Sequence, residues 1–239
     1  MQSIYYEIYK DLRDRIIAGE YPYQSFIPSE NRLVEQYQCS HNTLRKSLTV
    51  LRLHGFTQPI HGKGVKVIWQ PARKANFALG AIETFKEAAA RNHLTSRTAV
   101  RSFSSVVADE ALAQRTGFES GTRLLRIERV RYLDGVAVVF DCNYLLEQLM
   151  PGLTPQIVED SVYAYLEDEL GMVISTSNRT VTVEYASPED RDALDLLDFD
   201  MVAVVSGRTF NEKGVMFEYT ISRHRPDYFT FHNTAIREC

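Results

Sequence analysis

The sequence predicts an α+β protein of two domains: an N-terminal winged helix-turn-helix and a C-terminal domain whose helices pack on a largely antiparallel sheet. Three observations lead to this prediction. Charge is distributed unevenly along the 239 residues, apolar residues recur at helical spacing in the first part of the chain, and strands joined by short turns dominate the rest. We place the first domain at 1–70, a linker at 71–80 and the second domain at 81–239.

The charge of the chain divides near residue 70. Residues 1–70 carry nine Lys or Arg against six Asp or Glu, whereas 71–239 carry 18 basic and 25 acidic residues. The 47 residues from 36 to 82 contain no acidic residue, which chance fluctuation does not explain. The window holds seven basic residues: Arg45, Lys46, Arg52, Lys63, Lys66, Arg73 and Lys74. On a chain with a net charge of -4, such a patch is suited to a polyanion and predicts a DNA-binding domain.

The composition is that of a folded protein kept under reducing conditions. Hydrophobic residues make up 44% of the chain, and no apolar run reaches the length of a membrane span. The N-terminus is amphipathic and charged throughout, unlike a signal peptide. Three cysteines, Cys39, Cys142 and Cys239, lie far apart without metal-ligand spacing. We expect a cytoplasmic protein with no metal, no cofactor and no membrane partner.

Two helices are predicted before residue 40. The first is indicated by apolar residues four apart, and Gly19 is a plausible end; the stripe is Ile4, Ile8, Leu12 and Ile16. The second begins after Ser29, a natural N-cap. Its buried face is formed by Leu33, Val34 and Tyr37.

A third helix follows after a break of about three residues, with Ser40 as its N-cap. Its core positions are Leu44, Leu48 and Leu51, and its opposite face carries His41, Asn42, Arg45 and Lys46. Two short helices joined by a tight turn, the second with a polar N-terminus, make a helix-turn-helix. Arg45 suits a guanine edge and Asn42 an adenine edge. The groups that suit phosphates are the hydroxyls or nearby amides of Ser29, Ser40 and Thr43.

A two-stranded wing is predicted after Gly55. Residues 56–60 and 65–68 form its strands, and His61, Gly62, Lys63 and Gly64 form the turn. The glycines allow a close approach to a groove, where Lys63 meets phosphate or the floor of the minor groove. Pro59 confines its strand to a sheet edge. A capped helix or a Gly-Lys-Gly turn alone is common, but this ordered combination is specific.

These residues resemble the winged-helix signature of GntR-type bacterial repressors over about 5–68. The resemblance is carried by Pro28-Ser29-Glu30, Leu33, Ser40, Thr43, Leu44-Arg45-Lys46, Leu48, Leu51, Gly55 and Gly62-Lys63-Gly64. His41 departs from the family's usual arginine, which affects base preference, and Pro59 is unusual in the wing.

The second domain is predicted to alternate helices and strands. A helix begins at Thr84 and runs toward Arg91. Strands are predicted near 98–107, 123–132, 136–145, 173–185, 201–210, 215–225 and 228–235. Further helices are predicted at 109–116, 160–170 and 187–197, the last with Ser187 as cap and Pro188 at the first helical position. Short turns join most strands, so the sheet is largely antiparallel.

Arg129 and Arg131 project from the same face of one strand, together with apolar residues. They need an anionic partner there, or the face is simply solvated. A three-residue loop at 133–135 would bring Asp141 to the same face, whereas a two-residue loop at Asp134-Gly135 would send it to the other; we expect the three-residue loop. Ser161 and the pair Phe85-Lys86 lie at helix N-termini, which favour anions.

The second domain resembles the effector domain of the HutC branch of the same family, a chorismate-lyase-like fold (UTRA). The resemblance is carried by Phe85, Arg129-x-Arg131, the Asp-Gly hairpin, Ser161-Val162-Tyr163, Gly171, Phe217-Glu218-Tyr219 and His224-Arg225-Pro226-Asp227. It implies a sugar-phosphate effector whose phosphate is bound by Phe85, Lys86, Arg129, Arg131 and Ser161. Tyr163 belongs to the same effector site. The sugar is implied to contact Asp141, Glu218 and His224, where many relatives have Glu for Asp141 and Tyr for His224.

Two segments, Phe85-Lys86-Glu87 and 222–227, look most like those of trehalose operon repressors, whose inducer is trehalose 6-phosphate. The resemblance implies a homodimer on a palindromic, double-stranded operator. Three alternatives stay open: a repressor that responds to another sugar phosphate, such as an amino-sugar phosphate; an enzyme using Glu218, Asp141 and His224 for acid–base chemistry; and an architectural DNA binder. We expect a repressor and not an enzyme, because no nucleophile or metal motif occurs.

Overall fold

A computed structural model describes residues 3–70, 82 and 84–231 of the chain. The described residues separate into two compact units, one up to residue 70 and one that contains 82 and 84–231. The predicted linker at 71–80 lies outside the described residues.

The N-terminal unit has the three helices and the hairpin of a winged helix. Its elements are α1 (Ile4–Ile17), α2 (Glu30–Tyr37), α3 (His41–Leu53), β1 (Thr57–Ile60) and β2 (Gly64–Val67). The strands pair antiparallel from Thr57 opposite Val67 to Ile60 opposite Gly64. Pro59 lies on β1, which pairs with β2 alone among the named strands, as an edge position requires.

The predicted helical stripes form the core of this unit. Leu12, Leu33, Leu44 and Leu51 are fully buried, and Ile8, Ile16 and Leu48 are nearly so. Ile4 is the exception, because it lies in the first turn of α1 and is 66% exposed. An extended segment that the sequence analysis did not predict runs along β2, where the Ile27 amide donates to the Val65 carbonyl at 3.0 Å.

The C-terminal unit is built on a six-stranded sheet whose hydrogen-bonded neighbours are all antiparallel, in the order β3-β4-β5-β8-β7-β6. The strands are β3 (Ser96–Val107), β4 (Arg123–Leu133), β5 (Val136–Leu146), β6 (Ile174–Tyr185), β7 (Met201–Asn211) and β8 (Met216–His224). Two meanders, β3-β4-β5 and β6-β7-β8, thus meet where β5 pairs with β8. This antiparallel α+β architecture is the one predicted.

Short helices surround the sheet. They are α4 (Phe85–Arg91), α5 (Glu110–Thr116), α6 (Pro155–Asp160), α7 (Val162–Ala164), which continues into a π-helical turn at Tyr165–Glu169, and α8 (Pro188–Ala193). Single 3-10 turns occur at Glu147–Leu149 and Pro226–Tyr228. Val130, Phe140 and Val204 pack against residues of α8 and the loop after it on one sheet face. The other face contributes Ile127, which shares a core cluster with Val158 of α6.

Several predicted boundaries were wrong. The helix expected at 160–170 is divided at Ser161, and α6 before it was missed. The helix expected at 187–197 ends at Ala193. The strand expected near 228–235 is not formed in the described residues 228–231, where a 3-10 turn ends instead; its remainder lies outside them.

The loop between β4 and β5 also differs from the prediction. Leu133 pairs with Val136, so Asp134 and Gly135 form a two-residue loop, with φ angles of 48° and 84°. A register shift follows, because Tyr132 pairs with Ala137 whereas Arg131 pairs with Val139. The extra residue, Val138, is a β-bulge that exchanges the two faces beyond it. Asp141 therefore lies opposite Arg129, on the expected face but for a different reason.

Candidate DNA-reading surface and effector cavity

The N-terminus of α3 presents the polar residues expected of a recognition helix. Ser40 caps the helix, its Oγ accepting from the Thr43 amide at 3.1 Å and lying 2.9 Å from the Thr43 Oγ1. His41, Asn42, Arg45 and Lys46 are exposed, while Thr43 is half-buried. The hydroxyl of Ser40 is thus engaged in capping, and the exposed side chains at 41, 42, 45 and 46 are available to a groove.

Arg45 and Lys46 have local partners. The Arg45 Nε donates to the Glu30 Oε2 at 3.1 Å, which ties α3 to the start of α2. The Lys46 Nζ lies 3.9 Å from the centroid of the Tyr5 ring. Ser29 is exposed and caps α2 through a longer bond, 3.5 Å from the Arg32 amide.

The wing turn is exposed throughout. His61, Gly62 and Lys63 form the loop between β1 and β2, and Gly62 has a φ of 71°. The Lys63 amide donates to the Ile60 carbonyl at 3.0 Å, which closes the turn. All ten residues predicted to contact DNA therefore lie in this one unit, nine of them exposed and Thr43 half-buried. That they contact DNA stays a prediction.

A cavity in the C-terminal unit brings together all nine residues predicted to bind an effector. They are Phe85 and Lys86 on α4, Arg129 and Arg131 on β4, Asp141 on β5, Ser161 and Tyr163 around the start of α7, and Glu218 and His224 on β8. The two arginines, Asp141, Glu218 and His224 share one sheet face. The predicted alternative of a solvated face is wrong, since Arg129 is 4% exposed and Asp141 3%.

The paired arginines are held over one carboxylate. The Arg131 Nε donates to the Asp141 Oδ2, and the Arg129 Nη2 lies 3.8 Å from the same oxygen. Arg129 also donates to the Asn143 Oδ1 at 2.9 Å and to the Val158 carbonyl at 3.3 Å. Its Nε is buried without a hydrogen-bond partner in the described part of the chain. An anion in the cavity would be attracted to this group.

Burial sets the charge states of the site. Burial, together with the like charge of Arg131, lowers the pKa of Arg129 to about 10, so the guanidinium stays charged at neutral pH. Burial alone would raise the pKa of Asp141, but Arg131 and Arg129 outweigh it and the pKa falls. Burial lowers the pKa of His224 to about 4, so this ring is neutral at pH 7.

A second group of polar side chains continues across the sheet. The Asn143 Nδ2 donates to the Glu218 Oε1 at 2.8 Å and to the Thr220 Oγ1 at 2.9 Å. The Tyr163 hydroxyl donates to the Glu218 Oε2 at 2.5 Å. Burial and then the neighbouring Glu218 carboxylate raise the pKa of Tyr163 well above its usual value, so it remains a donor. Hydrogen-bond donors and acceptors thus lie next to each other along the cavity wall, an arrangement that can bind hydroxyl groups.

The rim of the cavity is more exposed. The Lys86 Nζ is paired with the Asp160 Oδ1 at 2.6 Å, and both side chains are largely in solvent. Phe85 lies beneath Arg131, whose guanidinium carbon is 5.0 Å from the ring centroid. The Ser161 Oγ accepts from the Ala164 amide at 3.1 Å and caps α7.

Several lining residues were missed by the sequence analysis. They include Asn143, Arg179, Thr220 and Ser222. The alternation of side chains along a strand was the available signal, because Asn143 is two residues from Asp141, and Thr220 and Ser222 fall between Glu218 and His224. No comparable signal pointed to Arg179, which reaches the cavity from β6. Among the described residues no group of His, Cys, Asp and Glu is arranged to hold a metal ion.

A winged helix together with a separate unit that holds a charged cavity defines a DNA-binding regulator with a ligand-binding domain. The chain belongs to the GntR family. Residues 4–67 match the model of bacterial regulatory proteins of the gntR family, and residues 91–230 match the UTRA domain. It is a transcriptional repressor of this type and not an enzyme, since the curated relatives that it resembles are named as transcriptional regulators or repressors.

The relatives cover nearly the whole chain. The chain is 35% identical to the HTH-type transcriptional regulator TreR of Bacillus subtilis (strain 168) over 96% of each, and 24% identical to the mannosyl-D-glycerate transport/metabolism system repressor MngR of Escherichia coli (strain K12) over 99% and 98%. Among solved structures, B. subtilis YydK covers 98% of this chain and 100% of its own, with a TM-score of 0.81 at 19% identity. The effector binding domain of the B. subtilis trehalose repressor covers 60% of this chain and 99% of its own, with a TM-score of 0.54 at 34% identity. No described helix is long and apolar enough to cross a bilayer.

Proposed function

We propose that this chain is the cytoplasmic repressor of a trehalose uptake or utilisation operon, within the HutC branch, and that trehalose 6-phosphate is its inducer. The likeness to TreR over nearly the whole chain supports the assignment, as does the likeness of the C-terminal unit to the effector binding domain of a trehalose repressor. The observation that carries the proposal is the cavity itself, with two adjacent arginines at one end and hydroxyl-binding side chains beside them.

The charges of the cavity suit a phosphate ester of a sugar. At one end of the cavity the guanidinium groups of Arg129 and Arg131 share the single carboxylate of Asp141, which leaves one positive charge in excess in this cluster of three residues. Lys86 and Asp160 at the rim neutralise each other. Each arginine guanidinium can bind two phosphate oxygens through two parallel N–H groups. An excess of positive charge in a partly closed cavity strengthens the binding of the phosphate.

Asp141 is the anion that the two arginines contact in the structure. A bound phosphate competes with the Asp141 carboxylate for Arg131, and a carboxylate released in this way accepts a hydrogen bond from a sugar hydroxyl. We expect phosphate and sugar to bind together for this reason, and free trehalose to bind poorly because it leaves the arginines with their internal partner.

Repression follows from the symmetry of a homodimer. Two winged helices read the two halves of a palindromic operator, so their spacing must match the half-sites. Trehalose 6-phosphate releases the DNA only if it binds more tightly to a conformation in which the spacing differs.

A second candidate is a repressor of the same type that responds to another sugar phosphate, such as an amino-sugar phosphate. The observation in its favour is that one relative, MngR, at 24% identity, is named for another carbohydrate, mannosyl-D-glycerate. Asp141 and His224, where many relatives have Glu and Tyr, favour a different sugar from that of the amino-sugar group.

Fluorescence anisotropy tests the proposal. The full-length protein is bound to a labelled palindrome from upstream of its own operon at fixed salt and titrated with trehalose 6-phosphate, free trehalose and glucosamine 6-phosphate. We expect release by trehalose 6-phosphate alone. Release by the amino-sugar phosphate alone supports the second candidate. A complex that none of the three disturbs contradicts the trehalose 6-phosphate proposal and the amino-sugar form of the second candidate.

A further inference from the structure

One part of the cavity wall is apolar. A row of paired residues crosses three strands of the sheet, from Arg131 on β4 through Val139 on β5 to His224 on β8, and all three line the cavity. The row therefore passes from a guanidinium to an apolar side chain and then to a ring that burial keeps neutral at pH 7, since it lowers the His224 pKa to about 4. Val205, on the neighbouring strand β7, adds a second apolar side chain to the lining.

Phe229 contributes a flat ring to this part of the wall. Its ring centroid lies 5.0 Å from that of His224, and the planes of the two rings are tilted by 48°. Phe229 lines the cavity and is only half-buried, so part of its ring borders open space. The sequence analysis did not assign this residue to the site.

The turn that precedes Phe229 is attached to the sheet. The Arg225 amide donates to the carbonyl of Val138, the bulge residue of β5, at 2.9 Å. Arg225 is buried and binds Asp227 through two bonds, from Nε to Oδ1 at 2.8 Å and from Nη2 to Oδ2 at 3.0 Å. The Phe229 amide donates to the Pro226 carbonyl at 3.3 Å. These bonds set the position of the ring before a ligand enters, so little order has to be created on binding.

A flat ring beside hydroxyl-binding groups suits a cyclic sugar. A pyranose carries C–H groups on its faces and hydroxyls around its edge, so it is bound by an apolar surface against one face and by hydrogen-bonding groups at the edge. Asp141 and Ser222 pair across β5 and β8 and line the cavity. They lie two residues along their strands from Val139 and His224, and thus on the same sheet face. The cavity therefore offers both kinds of contact side by side.

We propose that Phe229 packs against the C–H face of a sugar ring of the effector, and that this contact selects a cyclic sugar phosphate over an open-chain sugar phosphate. The inference rests on the proposed function, since it assumes that Arg129 and Arg131 bind the phosphate. It adds to that function a specificity-determining residue and a requirement for the ring form of the sugar.

Calorimetric titration of the full-length protein with trehalose 6-phosphate, glucose 6-phosphate, the open-chain glucitol 6-phosphate and inorganic phosphate tests the inference. For the wild-type protein we expect glucose 6-phosphate to bind more tightly than glucitol 6-phosphate. Phe229→Ala should lower the affinity for the two cyclic ligands about three- to tenfold, the range expected for the loss of an aromatic contact. Its affinities for glucitol 6-phosphate and phosphate should stay within about twofold of the wild-type values, because these ligands present no flat face to the ring.

Three further variants serve as comparisons. Phe229→Tyr keeps the ring and should keep the affinities for the cyclic ligands. Phe229→Leu keeps an apolar side chain without a flat ring and should lose affinity for them. Phe231→Ala is the matched control, because Phe231 is 53% exposed and does not line the cavity. Phosphate binding by each variant reports that the cavity is folded.

Several results would overturn the inference: equal loss for all four ligands in Phe229→Ala, no loss for the cyclic ligands, the same loss in Phe231→Ala, or a wild-type preference for glucitol 6-phosphate. If the wild-type protein binds glucose 6-phosphate but not trehalose 6-phosphate, the proposed inducer is wrong, and glucose 6-phosphate still decides the role of Phe229. If it binds neither cyclic ligand, the proposed function and the inference are overturned together.

Discussion

At the scale of single residues, the cavity is defined by charges that the protein itself only partly neutralises. Arg129 is buried, keeps its charge and has an Nε without a hydrogen-bond partner among the described residues. Leaving a buried donor unsatisfied costs about 1–3 kcal/mol. Such a cost is common at ligand sites, where the ligand supplies the missing partner. The alternation of residues along β4 predicted that the two arginines share one sheet face. It did not predict that one of them would have a buried nitrogen without a hydrogen-bond partner among the described residues.

Replacement of either of two basic residues in the N-terminal unit is expected to weaken DNA binding, but in different ways. Arg45→Ala should cost about 1–3 kcal/mol on the operator and little on unrelated DNA, because Arg45 is predicted to read a base edge. Lys63→Ala should weaken both DNAs alike and reduce the dependence of log K on log salt by about one. Anisotropy at several salt concentrations measures both. Equal losses of specificity in the two variants would contradict the assignment.

His224 predicts a pH dependence of stability. Its pKa is about 4 in the folded protein and about 6.5 when unfolded, so the unfolded chain takes up the proton first as pH falls. His224 therefore lowers the free energy of unfolding by about 2 kcal/mol as the pH falls from 7 to 5. Asp141, with its pKa lowered, stays charged over this range and adds no slope.

His224→Gln should flatten this part of the stability curve, and unfolding of the protein by urea at pH 7 and pH 5 measures it. His41→Gln is the control, because His41 is exposed and its replacement should leave the slope as it is. An unchanged slope in His224→Gln would show that the buried ring does not govern the transition.

At the level of secondary-structure elements, the two N-caps of the helix-turn-helix are expected to stabilise their helices to different extents. Ser40 accepts the Thr43 amide at 3.1 Å, whereas Ser29 accepts the Arg32 amide at 3.5 Å. Ser40→Ala should therefore cost about 1 kcal/mol of unfolding free energy, and Ser29→Ala less. Thermal unfolding of the two variants compares them. A larger loss from Ser29→Ala would mean that the caps are not the source of the effect.

The elements also show what could be predicted. Helices α1 to α3 follow from local periodicity and caps, and so do the two wing strands and most strands of the sheet. The β4–β5 turn does not, because an Asp-Gly pair fits both loop lengths and the bulge at Val138 depends on pairing with a neighbouring strand. Of the strand expected near 228–235, the described residues 228–231 form none, because a strand needs a partner strand, which local sequence does not provide.

The cavity shows the same limit. The predicted residues on β4, β5 and β8 were found by the resemblance or by alternation, which could also have indicated the missed residues on β5 and β8. Arg179 joins them only through the order β5-β8-β7-β6. That order is a long-range property which places a residue of an edge strand beside one 39 positions away, Glu218. The charge of Arg179 alone does not indicate this without the sheet.

At the scale of the whole molecule, the proposed mechanism requires two copies. Sedimentation equilibrium should give twice the 27.4 kDa of one chain, with or without DNA, because one repressor molecule must occupy both halves of the palindrome. A 27.4 kDa species at concentrations that saturate the operator would contradict the dimeric model.

We propose that occupation of the arginine cavity controls DNA binding by the other unit. Fluorescence anisotropy on the labelled operator compares the wild-type protein, Arg131→Gln and Arg123→Gln, each titrated with trehalose 6-phosphate. Arg123→Gln is the control, because Arg123 is an exposed residue of β4 that does not line the cavity. We predict equal operator affinity for all three without ligand. Trehalose 6-phosphate should release the wild-type protein and Arg123→Gln, while Arg131→Gln stays bound at concentrations at least tenfold higher. Release of Arg131→Gln at the wild-type concentration would show that the arginine cavity does not control DNA binding.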